Sequence, residues 1–366
     1  MQLSQTEQDY ILHPVLDTLM IGGLSILFFA LMYVMTEGND TSGKLSWTMY
    51  YLSYLVNHPH FMQSYQLLYQ DYRHKIFKDI RYTWAAVISP VLLIGLMVFI
   101  AYRAYSTNNP EGLGYLPNLL FFLVGHHYVK QVYGCVVISS VYKKVFYTKL
   151  ESRVLWFFMY STWFLSFVSS NSYTANAYDF YGVKYYTFGL PEYVLTTVYW
   201  LLGLSGVTFT FFMARKYIKT GAVIPFNAII AIASILVWYM PKFYSPNFNL
   251  MIPFFHSLQY MLFTTAFAKN KSKSLSKKHE SPEKQRSAFF VRFSSFIVVS
   301  LVTGYLAWVW IPETLDSKIA LPAVLGPTMF MFMAQIFLNI HHYFIDNVIW
   351  RKDNQQMREF LSPYSI

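Results

Sequence analysis

PAVLGPTMFMFMAQIFLNIHHYFIDNVIW, Pro322 to Trp350, is an almost unbroken apolar run that carries two histidines and an aspartate near its end. Such a run reads as a membrane-crossing helix, which needs about 20 predominantly apolar residues. Polar side chains at bilayer depth are costly without partners, so His341, His342 and Asp346 become candidates for a functional site. Pro322 and Pro327 fit an early kink. Three other apolar stretches carry histidine in the same manner: NHPHFMQ with His58 and His60, GHHYVKQ with His126 and His127, and FHSLQ with His256.

Composition agrees with a membrane setting. The chain has 366 residues, 55% hydrophobic and only 13% charged, against roughly 25% charged in soluble domains. Aromatic residues, at 20%, suit interfacial belts and an apolar pocket. One cysteine, Cys135, excludes an intrachain disulfide and a thiolate-rich metal site. The N-terminal MQLSQTEQDY lacks a basic signal-peptide region and is expected to stay on the mature protein.

Hydropathy predicts an all-α, polytopic membrane protein, residues 1–366 forming a single transmembrane domain of about ten helices. The spans run near Val15–Met35, Ser46–Tyr69, Thr83–Tyr102, Leu116–Tyr142, Val154–Ser170, Tyr193–Ala214, Val223–Met240, Asn249–Ala268, Phe289–Ile311 and Pro322–Trp350. Loop charge tests the count independently. Most of the 28 lysines and arginines follow even-numbered spans, as in Arg73 to Arg81, Lys143 to Arg153, Arg215 to Lys219, Lys269 to Arg292 and Arg351 to Arg358. This asymmetry puts the even loops and both termini in the cytoplasm. It also absorbs the net charge of +10, so no nucleic-acid partner is expected. The basic stretch 269–288 reads as a cytoplasmic loop that fixes topology, with contact to anionic lipid as the sharper reading. The expected location is a bacterial cytoplasmic membrane. His74 and His279 fall in loops and His13 at the first membrane boundary, so none is counted as a ligand. The outer stretch Asn171 to Gly189, with Tyr173, Tyr178, Tyr181, Tyr185 and Tyr186, reads as an aromatic belt, or alternatively as a lid over a pocket.

The histidine-bearing spans are the second, fourth, eighth and tenth, so all four run in the same direction. Counting from each histidine to the cytoplasmic end at about 1.5 Å per residue gives depths of roughly 14 to 24 Å, one layer of the bilayer. Adjacent histidines diverge by about 100° and His58 and His60 by about 200°, so each pair should supply one ligand to a shared centre. The metal candidates are therefore His58, His60, His126, His127, His256, His341 and His342.

Gln63, Gln131, Gln259 and Asp346 follow three or four residues after a histidine, the spacing of one helical face, and are of the types that orient ligating imidazoles. Glutamine is equally ordinary interhelical glue. Lys130, the lone lysine within a predicted span, requires either Asp346 or a water-filled cavity, and these two are the candidate catalytic charges. Pro59 frees the Leu55 carbonyl and opens its helix locally.

Neutral imidazoles suit iron, copper or zinc. A carboxylate-bridged di-iron centre needs several acidic residues, and Asp346 is the one well placed. The HxxxH and HxxHH boxes of membrane desaturases and hydroxylases are absent.

With PHF at Pro59 to Phe61, FHS at Phe255 to Ser257 and histidines spread over four helices, the chain resembles the Brp/Blh family of membrane carotene dioxygenases. It departs from that pattern at the MQS run after Phe61, where an acidic residue belongs. The resemblance implies a helical membrane protein with one non-haem iron on His60, His127, His256 and His342. It implies oxygen activation against an apolar, polyene or lipid-like substrate, with Asp346 as an outer anion and Tyr128, Tyr260 and Tyr343 beside the ligands.

Two other classes stay open. Paired axial histidines could hold one or two haems in a membrane electron carrier. A proton- or metal-coupled transporter would use the histidines with Lys130 and Asp346, and GHHYVKQ and IHHYFID share a short HHY repeat that would fit it. The expected partners are membrane lipid and an apolar small molecule.

Overall fold

The computed structural model describes residues 10–35, 44–172, 177–239, 251–351 and 353–361, and is nearly all helical. The helices are α1 (Pro14–Thr18), α2 (Leu24–Met35), α3 (Lys44–Gln66), α4 (Ile80–Thr83), α5 (Ser89–Thr107), α6 (Tyr115–Tyr142), α7 (Lys149–Asn171) and α8 (Glu192–Thr220). They continue as α9 (Phe226–Tyr239), α10 (Ile252–Ser276), α11 (Pro282–Tyr305), α12 (Ile311–Lys318), α13 (Met329–Ile349) and α14 (Gln355–Leu361). Most of MQLSQTEQDY, Tyr173 and the first residues of the predicted eighth span lie outside the described residues.

Local chemistry sets the helix ends. Thr148 and Glu151 form a reciprocal capping box at the start of α7, and Ser281 with Pro282 opens α11. Asn108 and Gly221, at φ 51° and 69°, close α5 and α8 in the left-handed conformation. The basic stretch 269–288, expected as a loop, is helical up to Ser276 and again from Pro282, where α11 begins, leaving 277–281 as the connection. Lysine is a good helix former and is favoured near a helix C-terminus, so 269–276 simply prolongs α10.

Among the described residues, five helical stretches are long and apolar enough to cross a membrane: Pro14–Val34, Ile80–Thr107, Glu192–Thr220, Pro282–Lys318 and Ala323–Ile349. They turn large apolar side chains outward, as at Val91, Phe99, Leu204, Val207, Phe211, Val298 and Val302. That inversion of a soluble protein's pattern is the mark of a membrane protein. Of the histidine-bearing helices only α13 belongs to this set. α3, α6 and α10 are 23, 28 and 25 residues long but carry amide, hydroxyl and imidazole groups inward.

α3 packs on α10, α11 and α13, while α6 packs on α7, α9 and α13. Gly304 permits a close approach of α11 to α3, since a Cβ there would lie 3.0 Å from the carbonyl carbon of His58. Among the described residues, four wide π-type turns, Leu19–Gly23, Leu67–Asp71, Trp84–Ile88 and Leu306–Trp310, interrupt the helices. A π turn releases carbonyls from the helical ladder, and side chains take them up. Ala85 O accepts from His341, Ala86 O from Tyr69 at 2.8 Å, and Ile21 O from Gln259.

The aromatic stretch Asn171 to Gly189 contains an antiparallel hairpin, Ala177–Phe180 with Val183–Tyr186. Its turn places Tyr181 and Gly182 at φ 50° and 80°, as a tight primed turn requires. The hairpin tip is tied to the bundle by Thr328 Oγ1 donating to Tyr181 O at 2.8 Å and by the Tyr50 and Tyr181 hydroxyls at 3.0 Å.

Candidate metal centre

Four imidazoles, one from each of α3, α6, α10 and α13, meet in the interior. Their ring centroids form a closed quadrilateral: His60 to His256 at 5.4 Å, His256 to His127 at 4.9 Å, His127 to His342 at 4.9 Å, and His342 to His60 at 4.9 Å. Neighbouring rings stand nearly edge-on to one another, with interplanar angles of 74° to 88°. All four residues are buried.

The hydrogen bonds fix which nitrogen faces the centre. His60 Nδ1–H donates to Asn57 O at 2.5 Å, with Ser257 Oγ at 2.9 Å, leaving Nε2 as a free lone pair. The Ser64 hydroxyl donates to Phe61 O at 2.6 Å, so its oxygen accepts from His342 Nδ1–H at 2.8 Å and His342 Nε2 is likewise free. His60 Nε2, His127 Nε2, His256 Nδ1 and His342 Nε2 are all buried without a hydrogen-bond partner. An orphaned buried polar atom costs about 1–3 kcal/mol, so four together cost roughly as much as a whole domain's net stability.

A bound cation removes that cost. Asp346 completes the set, its Oδ2 lying 3.3 Å from His342 Nε2 and 3.6 Å from His127 Nε2. Its Oδ1 accepts from the Tyr260 hydroxyl at 2.9 Å, and Trp350 Nε1 donates to the same hydroxyl at 3.2 Å. Among the described residues, two groups are placed to hold a metal ion, His60 with His256 and His342, and His127 with His342 and Asp346, sharing His342. Ligand atoms lie within 4.8 Å of one another inside each of these groups, and neither group takes in all four histidines. A porphyrin has no room among rings this close, which weakens the haem alternative.

The other three histidines lie off the centre. His341 is held by two hydrogen bonds, accepting from the Tyr65 hydroxyl at Nδ1 (2.6 Å) and donating from Nε2 to Ala85 O (2.9 Å). His126 bonds the Tyr160 hydroxyl at 3.2 Å and lies against Trp163. His58 stacks on Trp308, with centroids 5.0 Å apart and planes within 2°.

The glutamines do not orient imidazoles. Gln131 donates to His256 O at 2.9 Å and to Gln259 Oε1 at 3.1 Å, Gln259 donates to Ile21 O, and Gln63 Oε1 accepts from Thr264 at 2.5 Å. They join helices through carbonyls and hydroxyls, the other role open to an intramembrane amide. Lys130 donates to Asn347 Oδ1 rather than pairing directly with Asp346, because the adjacent side chain on α13 faces it. The groups that do hold the rings are Asn57, Ser64 and Ser257. Ser64 and Ser257 serve histidines of other helices, so sequence spacing carries no signal for them.

No family model, curated protein or solved structure matches this chain.

Proposed function

We propose that the chain is a membrane-embedded non-haem iron oxygenase acting on an apolar, carotenoid- or lipid-like substrate. The observation that carries this reading is the closed set of four buried imidazoles, each with an unpartnered nitrogen, beside one carboxylate. The group formed by His127, His342 and Asp346 has the two-histidine, one-carboxylate composition used by ferrous oxygenases. Histidines without thiolates also suit copper and zinc, so the metal must be measured.

In this reading His60, His127, His256 and His342 hold the ion, and iron supplies the capacity to activate oxygen. Asp346 offsets the charge that four neutral ligands leave. Tyr260 and Trp350 hold the Asp346 carboxylate in line, while Ser64 and Asn57 fix two ring tautomers. Closely packed aromatic rings exclude water, with Phe61 4.1 Å from the His60 ring and Tyr128 4.1 Å from the His256 ring. The proposal keeps ten membrane crossings with both termini cytoplasmic, adding to the five apolar stretches the polar-lined helices α3, α6, α7 and α10 and the shorter apolar α9.

The test is metal analysis and a visible spectrum of the purified protein, followed by oxygen uptake with carotenoids or lipids. Stoichiometric iron without a Soret band, with substrate-dependent oxygen uptake, is expected. A Soret band, or full metal content in both His127→Ala and His256→Ala, would overturn it.

A further inference from the structure

A cavity of about 400 Å³ lies where α3, α12, α13, the Leu306–Trp310 turn and the hairpin tip meet. It falls within the range of about 300–1,000 Å³ typical of small-molecule sites. Tyr50, Tyr54 and Tyr181 wall it, and the Tyr50 and Tyr181 hydroxyls bond each other at 3.0 Å. His58 stacked on Trp308 closes one side, with His58 Nδ1 and Trp308 Nε1 sealed off from the space.

The polar part of the lining has one sign. It holds two carboxylates, Glu313 and Asp316, and no lysine or arginine. Asp316 is fixed in place, accepting from Phe330 N at 2.8 Å and Met331 N at 2.9 Å at the start of α13, while Glu313 stands exposed. Gln335 also lines the cavity although it is only 8% exposed. Among the described residues its side-chain amide has one polar contact, from Nε2 to Met331 Sδ at 3.7 Å. The amide oxygen is left without a donor, a costly state for a buried acceptor.

An amide oxygen, carboxylates and the faces of aromatic rings are all electron-rich, and together they select a cation. An anion would be repelled, and an apolar molecule would leave the Gln335 oxygen unanswered. Glu313 and Asp316 also lie at the end of the Pro282–Lys318 stretch remote from the lysine-rich residues 269–288, so those charges do not offset them. We propose that this cavity binds an organic ammonium ion, its positive head held among the tyrosine rings with Glu313, Asp316 and Gln335 around it. The site uses none of the metal-holding residues and does not depend on the oxygenase reading.

The experiment is calorimetric titration of the full chain in dodecyl maltoside, at constant ionic strength. The probes are choline and its uncharged isostere, in which a quaternary carbon replaces the nitrogen. Choline is expected to bind saturably, and the isostere at least about tenfold more weakly. Tyr54→Phe keeps the ring and should hold choline affinity within about twofold, whereas Tyr54→Leu should lower it about five- to thirtyfold. Glu313→Lys, at an exposed position, should lower it about tenfold or more. Unfolding midpoints measured on the same variants separate loss of the site from loss of the fold. Glycerophosphocholine binding as well as choline would identify a lipid headgroup as the occupant, and much weaker binding a free solute. Absence of choline binding, equal binding of the isostere, or an affinity unmoved by both Tyr54→Leu and Glu313→Lys overturns the proposal.

Discussion

His341 and His342 are adjacent, chemically identical and equally buried, yet their loss should have opposite consequences. His342 belongs to both metal-holding groups, with Nε2 unpartnered and its other nitrogen on Ser64. Tetrahedral zinc sites contribute about 10–16 kcal/mol, or about 3 kcal/mol per ligand. His342→Ala should therefore weaken metal binding about 100-fold or more. His341 instead bridges Tyr65 and Ala85. Ala85 O retains Ser89 Oγ at 3.2 Å, so His341→Ala strands chiefly the Tyr65 hydroxyl and should destabilise by about 1–3 kcal/mol. The assay is metal per protein after gel filtration with a chelator, and thermal unfolding in the same micelle. His342→Ala should emerge metal-free, and His341→Ala fully loaded with a lower midpoint. Metal lost from His341→Ala and kept by His342→Ala would refute the assignment of the centre.

Asp346→Asn can still accept from Tyr260 but loses the anion. A unit charge about 4 Å from a cation is worth about 4 kcal/mol at an effective dielectric of about 20, so competitive chelator titration should show at least a hundredfold loss of affinity, and an unchanged affinity would place Asp346 outside the centre. Gly304→Val puts a side chain against the His58 backbone and should cost about 1–3 kcal/mol by overpacking α11 against α3, read as a lowered unfolding midpoint. Lys216 Nζ lies 2.8 Å from Glu151, joining α8 to α7. Burial raises the Glu151 carboxyl, but hydrogen bonds from Lys216 and the Thr148 backbone outweigh it and leave the carboxyl below its ordinary value. A depressed carboxyl stabilises the fold above its unfolded value of about 4.3 and loses that contribution as pH falls through the folded value. Lys216→Ala should thus lower the midpoint near neutral pH, and the gap from wild type should close below about pH 4.

Helical class, apolar character and the set of histidines were legible in sequence because each is written in local composition and period. The unbroken apolar run before His341 needs no tertiary information to be read as a buried helix. That one histidine from each of four helices would face a common point followed from the 100° step between neighbours. Which member of each pair does so was not legible from spacing and was named only by the family resemblance, because it depends on the rotation of each helix about its axis, set by packing such as that of Gly304 on His58. The structure turns His60, His127 and His342 to the centre and spends His341 on Ala85. The glutamines were misread for a related reason, since an amide three or four residues along shares a face with its histidine but bonds whatever the neighbouring helix presents. The docking of the hairpin was hidden because it arises from contacts between segments far apart in the chain, as Tyr181 with Thr328. Sequence by itself determined that histidines would be buried together in a membrane bundle, because burial follows from hydrophobic period alone. Only the tertiary structure decided which nitrogens share a centre and which partners hold them, because hydrogen bonds between helices depend on distance and angle, not on spacing along the chain.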